Sequence, residues 1–183
     1  MKKWISSLLI CCLLASLTSC IKTPSKDVQD GLAVLQDDLT VSYPKDPRAV
    51  MVKYGDCMQA LYNNDLNEAT FEAVVDKLMQ LYDNELLMNQ TDYMTQTKQD
   101  VEQKKQDVYT IANVVIPDSD TKVTYFTQDG YECAGLETTF AIREGQKTAT
   151  AIYTFILRKE TNTGRWKIFG WKISDDQMIH LIK

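Results

Sequence analysis

The stretch VTYFTQDGYECAGLETTFAIREGQKTATAIYTF, residues 123–155, decides the fold. Apolar and polar residues alternate along it, and Thr, Val, Ile, Tyr and Phe dominate, the pattern of strands covered on one face. Asp129-Gly130 is a two-residue hairpin signal, because a type I′ turn needs positive φ at both central positions, and Glu144-Gly145 is a weaker version of it. With the first loop there, Gln128 faces Tyr131, Tyr125 faces Ala134 and Val123 faces Leu136. With the second, Ile142 faces Lys147, Phe140 faces Ala149, Thr138 faces Ala151 and Leu136 faces Tyr153. The two turns are located independently, yet both put the apolar residues on the same face. The other face collects Thr124, Glu137, Thr139, Thr148, Thr150 and Thr154, which suits solvent.

A last strand, Arg165 to Ile173, follows the turn Thr161-Asn162-Thr163-Gly164. Strict alternation puts Phe169, Trp171 and Ile173 on one side and Trp166 and Ile168 on the other. Upstream of residue 108 the period is helical. Asp46-Pro47 reads as an N-cap followed by proline at the first helical position, with Val50, Tyr54, Cys57, Met58 and Leu61 at helical spacing to about Tyr62. Asn63-Asn64-Asp65 breaks that helix, and Asn67 or Thr70 caps the next, whose stripe is Phe71, Val74, Val75, Leu78, Leu81 and Tyr82. This second helix ends near Tyr82 or runs on through Leu86 and Leu87. A third, Asp92 to Val108, has only Met94, Val101 and Val108 as apolar contacts. Helices followed by a meander predict one α+β domain, its N-terminal helices packed on one face of an antiparallel sheet of about four strands.

The amino terminus reads as an address. Met1-Lys2-Lys3, the apolar run Trp4 to Leu14 and Leu17-Thr18-Ser19-Cys20 make a secretory signal, too short and too interrupted to span about 30 Å of hydrocarbon. The last four residues resemble a bacterial lipobox, in which Cys20 takes a diacylglycerol and becomes the new amino terminus. The expected organisation is a signal peptide over 1–19, a lipidated cysteine and tether over 20–42, and the folded domain over 43–183. The tether carries one weak stripe, Val28, Leu32, Leu35 and Leu39, broken by Gly31. The expected location is the outer face of the cell membrane, reached through a lipid whose buried methylenes each contribute about 0.8 kcal/mol.

Composition narrows the chemistry. The chain has 183 residues, with 25 acidic and 20 basic side chains, and removing Lys2 and Lys3 with the signal takes the net charge from −5 to −7. That balance excludes a broad nucleic-acid surface. Of five cysteines, Cys57 and Cys133 remain as thiols after the signal and Cys20 are set aside. They form either one disulfide or two buried apolar side chains, and the face assignment favours the second, since Cys133 points away from the main core. The single histidine, His180, stands near the carboxyl terminus with no nucleophile beside it, and it cannot complete a zinc site with two distant cysteines. Asp118-Ser119-Asp120 is a turn after Pro117 rather than a calcium loop, and Asp83 with Glu85 fits the cap of a short helix. No cofactor is implied.

Several phrases carry a resemblance: Tyr43-Pro44 with Pro47, Ala60-Leu61-Tyr62-Asn63, Leu81-Tyr82-Asp83-Asn84-Glu85-Leu86-Leu87 and Gly164-Arg165-Trp166-Lys167-Ile168-Phe169-Gly170-Trp171. Over about residues 43 to 173 the chain resembles a group of uncharacterised small bacterial lipoproteins with an NTF2-like domain. The resemblance implies a cone, with helices packed into the hollow of a bent sheet, but it carries no activity over residue by residue. Such cones serve isomerases, ligand-binding modules and accessory domains alike. The candidate pocket set is Tyr54, Tyr82, Tyr125, Tyr153, Phe155, Phe169 and Trp171, which either line a ligand pocket or fill the core. Trp166 and Ile168 are the candidate partner surface, for an unknown protein or for a homodimer through the sheet. The leading reading is a non-enzymatic binding module for a protein or small molecule. The rivals are a small isomerase or hydrolase working in the cone, and a structural envelope lipoprotein acting through the outer sheet face.

Overall fold

The computed structural model describes residues 33–174. Cys20 and His180 lie outside the described residues, as does the signal stretch. Four helices come first: α1 (Pro47–Asn63), α2 (Glu68–Leu81), α3 (Asn84–Met88) and α4 (Tyr93–Gln106). Five strands follow: β1 (Tyr109–Val115), β2 (Thr124–Gln128), β3 (Tyr131–Glu144), β4 (Lys147–Lys159) and β5 (Trp166–Ile173). The fold is α+β, helices then an open antiparallel sheet of five strands rather than about four, the extra one being β1. Strand β3 pairs with β4 along one side and is shared by β1 and β2 on the other, and β5 closes the far edge of β4.

Local chemistry sets the helix ends. The Asp46 carboxylate accepts from the Ala49 amide at 2.9 Å ahead of Pro47, and Asn67 caps α2 at Thr70, also at 2.9 Å. Helix α2 stops at Leu81, because Tyr82 and Asp83 turn extended to bridge the edge strand: the Asp83 amide donates to the Ile168 carbonyl at 2.9 Å. Asp83 then caps α3 through the Glu85 amide. Helix α1 lies close against β1. A Cβ on Gly55 would come within 3.1 Å of Val114, so the glycine is fixed by contact, despite a helix cost of about 1 kcal/mol relative to Ala.

The first hairpin has the expected register, with Asp129 and Gly130 both at positive φ. The second is shifted by two residues: the loop is Gly145-Gln146, Glu144 faces Lys147 and Leu136 faces Phe155. Gly145, at φ 59°, takes the first loop position, where positive φ is needed. A slip of two residues leaves every side chain on its face, so the inner face is the expected one. In β5 the expectation fails. A β-bulge at Phe169, opposite the Ile156–Leu157 step, resets the alternation, so Ile168 pairs with Leu157 and Trp171 with Phe155, both on the inner side. Trp166 and Ile168, expected on the outer face, are buried in the core at 7% and 0% exposure.

Part of the stretch read as tether packs on the domain. Residues 33–36 form a helical turn, Leu39 is buried, and Lys77 of α2 donates to the carbonyls of Val34 and Asp37. Cys57 and Cys133 are free thiols, both buried, on opposite sides of the sheet. Burial pushes the Cys57 thiol up to about 12.

Candidate functional site

The seven aromatic residues of the candidate pocket do not share one environment. Tyr54, Tyr82 and Phe155 are core, with Tyr54 5.2 Å from Phe155 and 6.3 Å from Tyr82 between ring centres. Tyr153 is half-buried beside them, edge-on to Phe140 at 5.6 Å. Trp171 stands at the rim, 41% exposed, stacked on Tyr82 at 6.1 Å and beside Phe155 at 5.9 Å. Two members are corrected. Tyr125 faces Ala134 as expected but is 54% exposed, because it stands on the edge strand β2, and it leans on Trp166 instead. Phe169, the bulge residue, leaves the inner set and lies under the Arg158 guanidinium at 4.4 Å.

What remains opens into a cleft of about 360 Å³ between α1, α4 and the end of β5. Its floor is Tyr54, Tyr82 and Trp171, and its walls are Met58 and Tyr62 of α1 with Tyr93, Gln96, Thr97 and Asp100 of α4. The hydroxyls of Tyr82 and Tyr93 share a hydrogen bond of 2.9 Å, and the Tyr62 hydroxyl donates to the Asp100 carboxylate. Burial raises the pKa of Tyr54, Tyr82 and Tyr93, and for Tyr62 burial and the Asp100 bond act together. All four phenols are therefore protonated near neutral pH and act as donors and ring faces rather than as bases. The cleft joins an apolar floor to a few fixed polar groups, the make-up of a small-molecule site.

Sequence reasoning missed Tyr62, Tyr93 and Asp100 as members of this site. Tyr93, Gln96, Thr97 and Asp100 recur at helical spacing, so they form one stripe of α4 facing the cleft. That stripe was a usable signal, masked by the scarcity of apolar residues on the helix.

A second cleft, of about 380 Å³, lies behind α1 and is more polar, with Lys53, Asp56, Gln59, Asn64 and Lys77 around Cys57. Its cations are already engaged: Lys53 pairs with Asp37, and Lys77 holds the two carbonyls described above. Two buried polar atoms lack a partner among the described residues, Asn64 Oδ1 beside this cleft and Thr138 Oγ1 on the inner sheet face. Asp83 and Glu85 serve as a structural latch. Asp83 receives two hydrogen bonds from the Arg158 guanidinium, one of them 2.9 Å from Nε, and Glu85 takes a third at 3.0 Å. Arg158 lies over the rings of Tyr131 and Phe169, and its pKa is raised by the hydrogen bonds that it donates to Asp83.

Among the described residues, no cluster of three or more His, Cys, Asp or Glu side chains is placed to hold a metal ion. Nor, among them, is any helix long and apolar enough to cross a membrane. A family model described as a domain of unknown function (DUF6715) matches residues 5–171. No curated protein and no solved structure matches the chain.

Proposed function

The chain belongs to the DUF6715 family, a domain of unknown function, and from that premise we propose an extracytoplasmic binding module of NTF2-like architecture, held to the membrane by a lipid on Cys20. Its ligand enters the cleft between α1 and α4. One observation carries this reading: Trp171 leaves 41% of its surface in solvent while stacking on the buried Tyr82, at the mouth of a tyrosine-lined hollow. An indole held at a rim by its neighbours is a preformed contact surface, since its ordering is complete before any ligand arrives. The lipobox at Leu17 to Cys20 supports the anchor, and the acidic mature chain supports tethering by lipid rather than by attraction to anionic headgroups.

Native mass spectrometry of the protein extracted from its own cells tests both parts. We expect a diacylglycerol mass on the chain that disappears in Cys20→Ala, and a non-covalently bound species that disappears in Trp171→Ala. A wild-type chain without lipid overturns the anchor, and a wild-type chain with no bound species overturns the ligand site.

A further inference from the structure

Five aromatic rings of this domain carry a cation supplied by the chain itself. Arg165 and Lys167 lie over Tyr43, Lys104 over Tyr109, Arg158 over both Tyr131 and Phe169, and Lys159 over Trp166. The separations run from 4.4 Å to 5.6 Å, within the range where a ring quadrupole attracts positive charge. The rings around the cleft, Tyr54, Tyr62, Tyr82, Tyr93 and Trp171, carry no such cation among the described residues. The cleft's only charged lining residue is Asp100, with no lysine or arginine on the wall. Lys104, one helical turn beyond Asp100, is engaged on Tyr109 at 5.0 Å, and Lys98 pairs with Glu68 at 2.6 Å. Among the described residues Asp100 has no ion-pair partner, and the one hydrogen bond to its carboxylate comes from Tyr62.

Five electron-rich rings, one uncompensated carboxylate and no competing base make a site complementary to positive charge. We propose that the cleft binds an organic ammonium ion, alkylated at nitrogen, against Trp171 and the tyrosine rings with Asp100 as counter-charge. Alkylation follows from the surface that the cleft offers. Most of it is ring and aliphatic side chain, against which a bare ammonium would give up a strong hydration shell, whereas a quaternary or tertiary head lays its N-alkyl groups on the rings. It is also weakly hydrated, so its transfer to an aromatic wall costs little, and a volume of about 360 Å³ accommodates the head while the open side lets a longer substituent leave. The inference rests on the cleft being a ligand site and narrows the ligand's class.

The test uses the full chain in a polyoxyethylene detergent, which brings neither charge nor sugar. Tetramethylammonium chloride, choline chloride and 3,3-dimethyl-1-butanol, the uncharged carbon counterpart of choline, are titrated at constant ionic strength. Tryptophan fluorescence is the readout. Choline is expected to give a saturable response with affinity about tenfold or more above its neutral counterpart. D100N should weaken choline binding several-fold with little effect on the alcohol. Trp171→Ala, read by titration calorimetry because it removes the reporting indole, should lose choline binding, and Tyr93→Phe, which keeps the ring and its fold, should retain the fluorescence response. Equal affinity for choline and the alcohol overturns the ammonium proposal and leaves a ligand site of apolar preference. No saturable response to either ammonium probe also overturns it, while the bound species sought by native mass spectrometry decides separately whether the cleft is a site at all.

Discussion

Cys57 and Cys133 show how burial decides the behaviour of a side chain. Both thiols are inside the protein, Cys57 in the main core and Cys133 on the opposite side of the sheet. Burial raises each thiol's pKa, to about 12 for Cys57, so the reactive thiolate is scarce and screened from reagent. Neither cysteine should be modified by N-ethylmaleimide in the native chain, and both should react once denaturant is added. Peptide mapping by mass spectrometry reads this directly, and native-state labelling of Cys57 would contradict the packing. The sequence pattern supported this outcome through face assignment alone, since residue parity on β3 sends Cys133 away from the helices. Parity could not decide which rings on the inner face line a cleft. Trp171 and Phe155 share a face and a cross-strand pair, yet one is 41% exposed and the other 1%, because the helices cover the middle of the sheet and stop short at its rim.

At the level of elements, the local signals were the readable ones. Asp46-Pro47, Asn67 and Asp129-Gly130 each act through backbone groups within a few residues, so their chemistry is complete in the sequence. The β4 register and the β5 bulge are not local. A period of two is unchanged by a slip of two residues, so alternation predicts the face of β4 but not its pairing. The bulge at Phe169 is set by partners far along the chain, with Tyr82 and Asp83 docked on Ile168 and Arg158 lying on Phe169. The same latch joins α3 to the sheet through Arg158, Asp83 and Glu85. The side chains of Arg158 and Asp83 are 16% and 6% exposed, so removing one partner strands a buried charge. Arg158→Ala should therefore lower stability by about 3–5 kcal/mol, read as a fall in the denaturant midpoint, whereas a loss near 0.5 kcal/mol would reduce the latch to an ordinary surface pair.

For the molecule as a whole, the buried acids with raised pKa values tie stability to alkaline pH. Cys57 moves from an ordinary 9.0 to about 12 and Tyr109 from 10.0 to about 12, both through burial, and Tyr54, Tyr62 and Tyr82 move in the same direction. A raised value means that the folded state holds its proton longer than the unfolded chain does. The associated stability is complete below 9.0 and drains away as pH climbs from there toward about 12, because the unfolded chain releases protons first. The urea midpoint should fall steadily as the pH rises from about 9 toward about 11, and a flat profile would mean that these groups are solvated in the folded protein. The core that produces this dependence runs unbroken from Leu39 through α1 and α2 to Phe155 and Ile168, one body of apolar contacts under one sheet face.

Lys77 gives that body a mechanical property. Its ammonium group holds the carbonyls of Val34 and Asp37, and Leu39 is wedged into the core just beyond them. A pull applied to the chain ahead of residue 33 is thus delivered to the middle of the domain, across α2 and its packed stripe, instead of peeling a strand from an edge one bond at a time. Under tension the domain resists as a block.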